Sequence, residues 1–101
     1  MILIYITCPN KKEAKKIGQA LVEKRLAGCV NIFPIEAIYW WEGKITEDKE
    51  FVLIVKTFEK NFSKIEKLVR KLHSYEIPCI ISIPVERVNN SYLGWIRGEI
   101  K

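Results

Sequence analysis

The alternation of apolar runs and helical stripes predicts an α+β fold with the element order β-α-β-β-α-β and a short closing helix. Three observations carry this prediction. Two proline-free apolar runs, Ile2–Thr7 and Phe51–Thr57, read as strands buried on both faces. Two further β-rich runs are interrupted by Pro34 and Pro84, which edge strands tolerate and central strands do not. Between them lie two segments whose apolar residues recur every three or four positions. The chain has 101 residues, 49% hydrophobic and 29% charged, enough for one domain with its own core and incompatible with disorder.

The elements follow in order. Pro9 stops the first strand, and Asn10 with Glu13 three residues later has the form of a capping box. Ala14, Ile17, Gly18 and Leu21 then repeat at helical spacing, and Gly28 stands where a terminating glycine would, so helix one is predicted from about Lys11 to about Ala27. Strand two is predicted over Cys29–Ile35 and again over Glu36–Trp41, with Glu42-Gly43-Lys44 as the turn and the polar Thr46–Lys49 stretch after it. Phe51–Thr57 is strand three. Helix two carries Phe62, Ile65, Leu68, Val69 and Leu72 on one stripe, with Lys60, Lys64, Lys67 and Lys71 off it. Cys79–Val85 is the last strand, and a short helix from about Ser91 to Gly98 closes the chain. This is the split β-α-β, ferredoxin-like arrangement, with the sheet order 4-1-3-2.

Both helices of such a fold cover one face of the sheet. The other face should then be polar, yet Ile32, Phe33, Ile35, Ile38, Tyr39, Trp40 and Trp41 crowd strand two. An apolar face of this kind marks an interface, so further copies of the chain are expected to cover it, with Phe33, Ile35, Tyr39, Trp40 and Trp41 as anchors. The formal charge of +5 admits anionic partners without forming a basic tail. Three cysteines make no complete disulfide framework and point to a reducing compartment. No charged segment precedes the apolar N-terminus, and no run approaches the roughly 20 residues that span a bilayer. A cytoplasmic protein without membrane contact is the resulting expectation.

Several segments together carry a family resemblance: Thr7-Cys8-Pro9, the run from Leu26 to Ile32, Tyr39-Trp40-Trp41-Glu42-Gly43-Lys44, Lys56-Thr57, His73-Ser74-Tyr75-Glu76-Ile77-Pro78 and Tyr92-Leu93-Gly94-Trp95. In this order and at these spacings, the chain resembles the CutA divalent-cation tolerance family nearly end to end. Gly28 departs from the alanine expected there, and Cys79 stands where the family often has an acidic or another small residue. The resemblance implies a cytoplasmic, ferredoxin-like homotrimer, related in shape to PII-type signalling proteins. It also implies a role in tolerance to copper and other divalent metals, with no reaction attached and no obligatory cofactor.

Weighed by chemistry, His73 is the only histidine and the first candidate metal ligand. Topology brings strand one and helix two to the same end of the molecule, which places Cys8 near His73. Strand four starts from that end, adding Cys79, and the Glu42–Lys49 turn is expected to cap it with Asp48. The expected metal ligands are therefore His73, Cys8, Asp48 and Cys79, a thiolate–imidazole set suited to copper or zinc over magnesium or calcium. No CxxC spacing forms a structural zinc site, and Cys29 reads as a small core residue. Lys11, Lys12, Lys15 and Lys16 open helix one without a preceding glycine-rich loop, so they read as a solvated face. Strand three lacks the aromatic motif of RNA-recognition modules, so nucleic acid is not an expected partner. Nothing marks a catalytic apparatus: there is no nucleophile elbow and no HExxH. The alternative reading is a PII-like trimer that binds a small anionic ligand and signals through a protein partner.

Overall fold

A computed structural model describes residues 1–101. The elements are β1 (Ile2–Cys8), α1 (Lys11–Glu23), β2 (Cys29–Trp41), β3 (Lys44–Thr57), a 3-10 turn (Glu59–Asn61), α2 (Phe62–Leu72), β4 (Ile80–Pro84) and α3 (Asn90–Glu99). All sheet pairings are antiparallel, in the order β2-β3-β1-β4, which counted from the opposite edge reads 4-1-3-2. Pro34 and Pro84 thus lie on the two edge strands, where a missing N–H leaves the ladder intact.

Strand alternation divides the residues of the sheet. Ile2, Ile4, Ile6 and Cys8 of β1 and Leu53 and Val55 of β3 point toward the helices, where they form one core with Ala14, Ile17, Leu21, Ile65 and Val69. Each such aliphatic side chain contributes about 1.5–3 kcal/mol by leaving water. Leu3, Tyr5 and Thr7 of β1 point the other way, toward the open face. The same alternation runs along β2, whose register with β3 is unbroken from Cys29–Lys56 to Trp41–Lys44.

Three element boundaries differ from the sequence reading. Helix α1 ends at Glu23, four residues before Ala27, because the chain turns at Arg25 (φ 60°) and the Leu26 carbonyl is captured from outside the helix. Thr57 Oγ1 donates to that carbonyl at 2.6 Å and Asn61 Nδ2 at 3.3 Å. Gly28 is therefore not a helix terminator: its N–H donates to Lys56 O at 3.1 Å, and a Cβ there would lie 2.4 Å from Ile96 Cγ1. Strand β3 begins at Lys44, so Thr46–Lys49 is strand and not part of a turn. The turn itself is only Glu42-Gly43, both with positive φ (49° and 76°), the geometry of a tight hairpin. Beyond the reach of the helices both faces of this ribbon meet water, so its sequence loses the apolar alternation that announces a strand. Strand β4 is shorter than expected, and Cys79 precedes its first paired residue.

Candidate metal centre

The last residue of β1, the first turn of α1 and the residue that ends α2 meet at one pole of the molecule. Cys8 is fully buried there, and the ligand atoms of Cys8, Glu13 and His73 all lie within 4.8 Å of one another. Local structure explains how Glu13 joins them. Asn10 caps α1 by accepting the Glu13 N–H at 2.8 Å, but the Glu13 carboxylate does not return the bond. It turns inward instead, where Oε2 accepts the Ser74 N–H at 3.2 Å and stands 3.4 Å from His73 Nδ1.

His73 is held on both sides of its ring. Nε2 lies 2.7 Å from the Thr7 carbonyl, which can only accept, so Nε2 carries the proton. Nδ1 then accepts the Tyr75 N–H at 3.0 Å. The neutral imidazole therefore ties the end of β1 to the segment after α2. Burial, reinforced by the negative charges of Glu13 and Glu50, raises the Cys8 thiol from its ordinary 9.0 to about 12. A thiol held this way is protonated near neutrality and is the opposite of an activated nucleophile. Thiol, imidazole and carboxylate are a fitting donor set for a soft or borderline divalent ion. Binding one requires Cys8 to lose its proton and the His73 ring to give up one of its two hydrogen bonds, to Thr7 or to Tyr75.

Two of the expected ligands lie elsewhere. Cys79 lines a cavity with Thr7, whose side chain points away from the helices, so strand alternation puts it across the sheet from Cys8. Asp48 lies on the β2–β3 ribbon and accepts a short hydrogen bond from the Tyr39 hydroxyl. His73 and Cys8 are thus brought together, whereas Asp48 and Cys79 belong to the open face. Topology brings these residues to one end of the molecule, and a single-residue step along the strand divides them between its two faces.

The open-face cavity has a volume of about 580 Å³. Tyr75 Oη donates to Glu50 Oε2 at 2.7 Å, and Glu50 is almost wholly buried. Burial and then the hydrogen bond to Glu50 push the Tyr75 phenol above its ordinary range. The hydrogen bond to Asp48 raises Tyr39 to about 12. Cys79 is raised as well, by burial and the Glu50 charge, against a lowering hydrogen bond from Thr7. Asp48, Glu50 and Glu76 give this space three carboxylates and no cation, an environment that repels a small anion. Sequence reading missed Glu13 and Glu50 as site residues. In the sequence the capping box accounts for Glu13, and Glu50 sits at the border between a polar stretch and an apolar strand.

The family model of the CutA1 divalent ion tolerance protein matches residues 2–99. The chain belongs to the CutA1 family. It is 50% identical to the divalent-cation tolerance protein CutA of Archaeoglobus fulgidus over 93 residues, 92% of this chain and 91% of the relative. It is 45% identical to the CutA of Thermotoga maritima over 100 residues, 99% of each chain. The solved structure of the Archaeoglobus fulgidus CutA superposes with a TM-score of 0.97 over 100% of both chains at 47% identity. The resemblance read from the quoted segments is therefore correct, and CutA1 is described as a tolerance family and not by a reaction.

One expectation is overturned. The Archaeoglobus fulgidus CutA structure is described as that of a periplasmic protein, so a cytoplasmic location does not follow from membership in the CutA1 family. The inference from cysteine count fails for a physical reason. Cys8 is buried, and Cys8 and Cys79 lie on opposite faces of the sheet, so their unpaired state reports geometry and not compartment. No helix is long and apolar enough to cross a membrane.

Proposed function

We propose that this protein is a trimeric metal-response protein that binds copper, or a similar soft divalent ion, weakly at the Cys8–Glu13–His73 pole and catalyses no reaction of its own. The observation that carries the proposal is the convergence of thiol, carboxylate and imidazole within 4.8 Å, from three different elements. The names of the CutA relatives, which describe divalent-cation tolerance, support the same reading. Weakness follows from chemistry: the ion must displace a proton held with a pKa of about 12 and break one of the two hydrogen bonds that hold the His73 ring. Affinity therefore rises with pH, as it does wherever ligands must deprotonate. The raised pKa of Cys8 also speaks against a Cys–His hydrolase.

Trimerisation is supported by the large apolar residues left on the open face, among them Phe33, Trp41, Ile81 and Ile83, each at least 40% exposed in the single chain. Calorimetry with copper and zinc on the reduced protein, alongside its solution mass, tests both parts. His73→Ala is expected to weaken copper binding at least tenfold, about 1.4 kcal/mol, and Cys8→Ser to do the same without opening the His73 clamp. Unchanged copper affinity in both variants would falsify the site.

A further inference from the structure

The connection between α2 and β4 is fastened by side chains alone. Residues 74–78 make no backbone–backbone hydrogen bond, and three bonds to side chains or from them fix the segment in place. The Ser74 N–H donates to Glu13 Oε2 at 3.2 Å, the Tyr75 N–H to His73 Nδ1 at 3.0 Å and the Tyr75 hydroxyl to Glu50 Oε2 at 2.7 Å. The first two acceptors belong to the Cys8–Glu13–His73 pole, on the helix side of the sheet. The third lies on the open face, in the cavity that Trp41 also lines. Tyr75 therefore touches both faces, with its main chain at the pole and its side chain at the cavity.

A metal ion at the pole and this segment compete for one lone pair. The neutral His73 ring has a single unprotonated nitrogen, Nδ1, and the Tyr75 N–H already occupies it. A metal–imidazole bond is about 2.0 Å long, so an ion on that lone pair needs the space where the Tyr75 amide now stands. The Tyr75 main chain has to move aside. An ion on Nε2 would send the ring proton to Nδ1, and the amide would lose its acceptor in the same way. Charge drawn from the Glu13 carboxylate weakens its bond from Ser74 as well. The remaining anchor, from Tyr75 to Glu50, belongs to the residue that moves. We propose that residues 74–78 are a strap through which metal loading of the pole is felt on the open face: loading frees Tyr75 from His73, and the Tyr75–Glu50 bond opens with it. The proposal rests on the reading of the pole as a metal site. Linkage makes the effect reciprocal, so the Tyr75–Glu50 bond opposes loading and its loss favours loading.

Titration of the intact, reduced protein with zinc, followed by amide chemical shifts, tests the strap. Zinc is expected to move the signals of Cys8, Glu13 and His73 at the pole, of Ser74 and Tyr75 in the strap, and of Glu50 across the sheet. Tyr75→Phe keeps the ring and the amide but removes the bond to Glu50. Zinc is then expected to bind about 2–10 times more tightly, the equivalent of one hydrogen bond, and to leave Glu50 unmoved. Glu50→Gln keeps an acceptor for Tyr75 and is expected to retain the response at position 50. A zinc response at Glu50 that persists in His73→Ala would overturn the strap, because the ion would then be meeting the open-face carboxylates directly. A quiet Glu50 beside moving pole signals, or parental zinc affinity in Tyr75→Phe, would overturn the strap and leave the pole standing. No shift at Cys8, Glu13 or His73 would overturn the pole, and the strap with it.

Discussion

At the scale of single residues, the chemistry of this protein turns on how few groups have a free hand. His73 reads in the sequence as a candidate ligand, and its identity was visible there, but its two hydrogen bonds were not. Thr7 and Tyr75 are 66 and 2 residues away, and only the fold brings the first of them to the ring. Cys8 gives a prediction in pH. Its thiol is neutral in the folded state until about pH 12 but ionises near 9 once the chain unfolds. The unfolded state therefore sheds protons first as pH rises, and stability is expected to fall between about pH 9 and 12. Thermal melts across that range check this; Cys8→Ser should flatten the first part of the decline, while Tyr39 and Tyr75 continue it. Gly28 gives a prediction in packing. Its added Cβ would stand 2.4 Å from the buried Ile96 side chain, so Gly28→Ala is expected to cost about 1–3 kcal/mol by denaturant titration, as overpacking does.

Among the elements, those that bury a stripe or a full face were legible, and those that do not were misjudged. The stripe Ile65, Leu68, Val69 and Leu72 announces α2, and the apolar run of β1 announces a central strand, because burial imposes a period on the sequence. Residues 44–49 lie beyond the helices, where no face of the ribbon is selected, so the strand there leaves no periodic trace. The end of α1 was hidden for another reason: the chain reverses at Arg25, and Thr57 and Asn61, more than 30 residues downstream, hold the Leu26 carbonyl after the turn. The hairpin turn carries its own prediction. Gly43 adopts φ +76° with open space around it, so a side chain there meets no clash and only the cost of the backbone. Gly43→Val is expected to destabilise the protein by about 1–2 kcal/mol through that strain alone, with hydrogen exchange speeding at Trp41 and Lys44 before the core responds.

At the scale of the whole molecule, the protein is a body of two layers with a ribbon drawn out from it, 45 Å in its long dimension and 25 × 21 Å across. Alternation along the ribbon splits the aromatic cluster that the sequence presents as one block. Tyr39 and Trp41 share the open face with Phe33, whereas Trp40 lies on the opposite side with Ile38 and is 72% exposed. The consequence for the proposed trimer is specific. Trp41→Glu is expected to lower the solution mass or the melting temperature if the open sheet face is the interface. Trp40→Glu tests whether neighbouring copies also grip the back of the ribbon; a mass and melting temperature matching the parent would confine the interface to the open face.

The edge position of β2 has one further effect. Thirteen residues of strand expose one side of their backbone, a template on which a partly unfolded neighbour would pair and begin a fibril. Pro34 sits near the middle of that edge, opposite Phe51, and supplies no N–H. An incoming strand meets a gap halfway along its ladder, so neither half offers enough consecutive bonds to hold it. The residue that first identified β2 as an edge also keeps that edge from recruiting further chains.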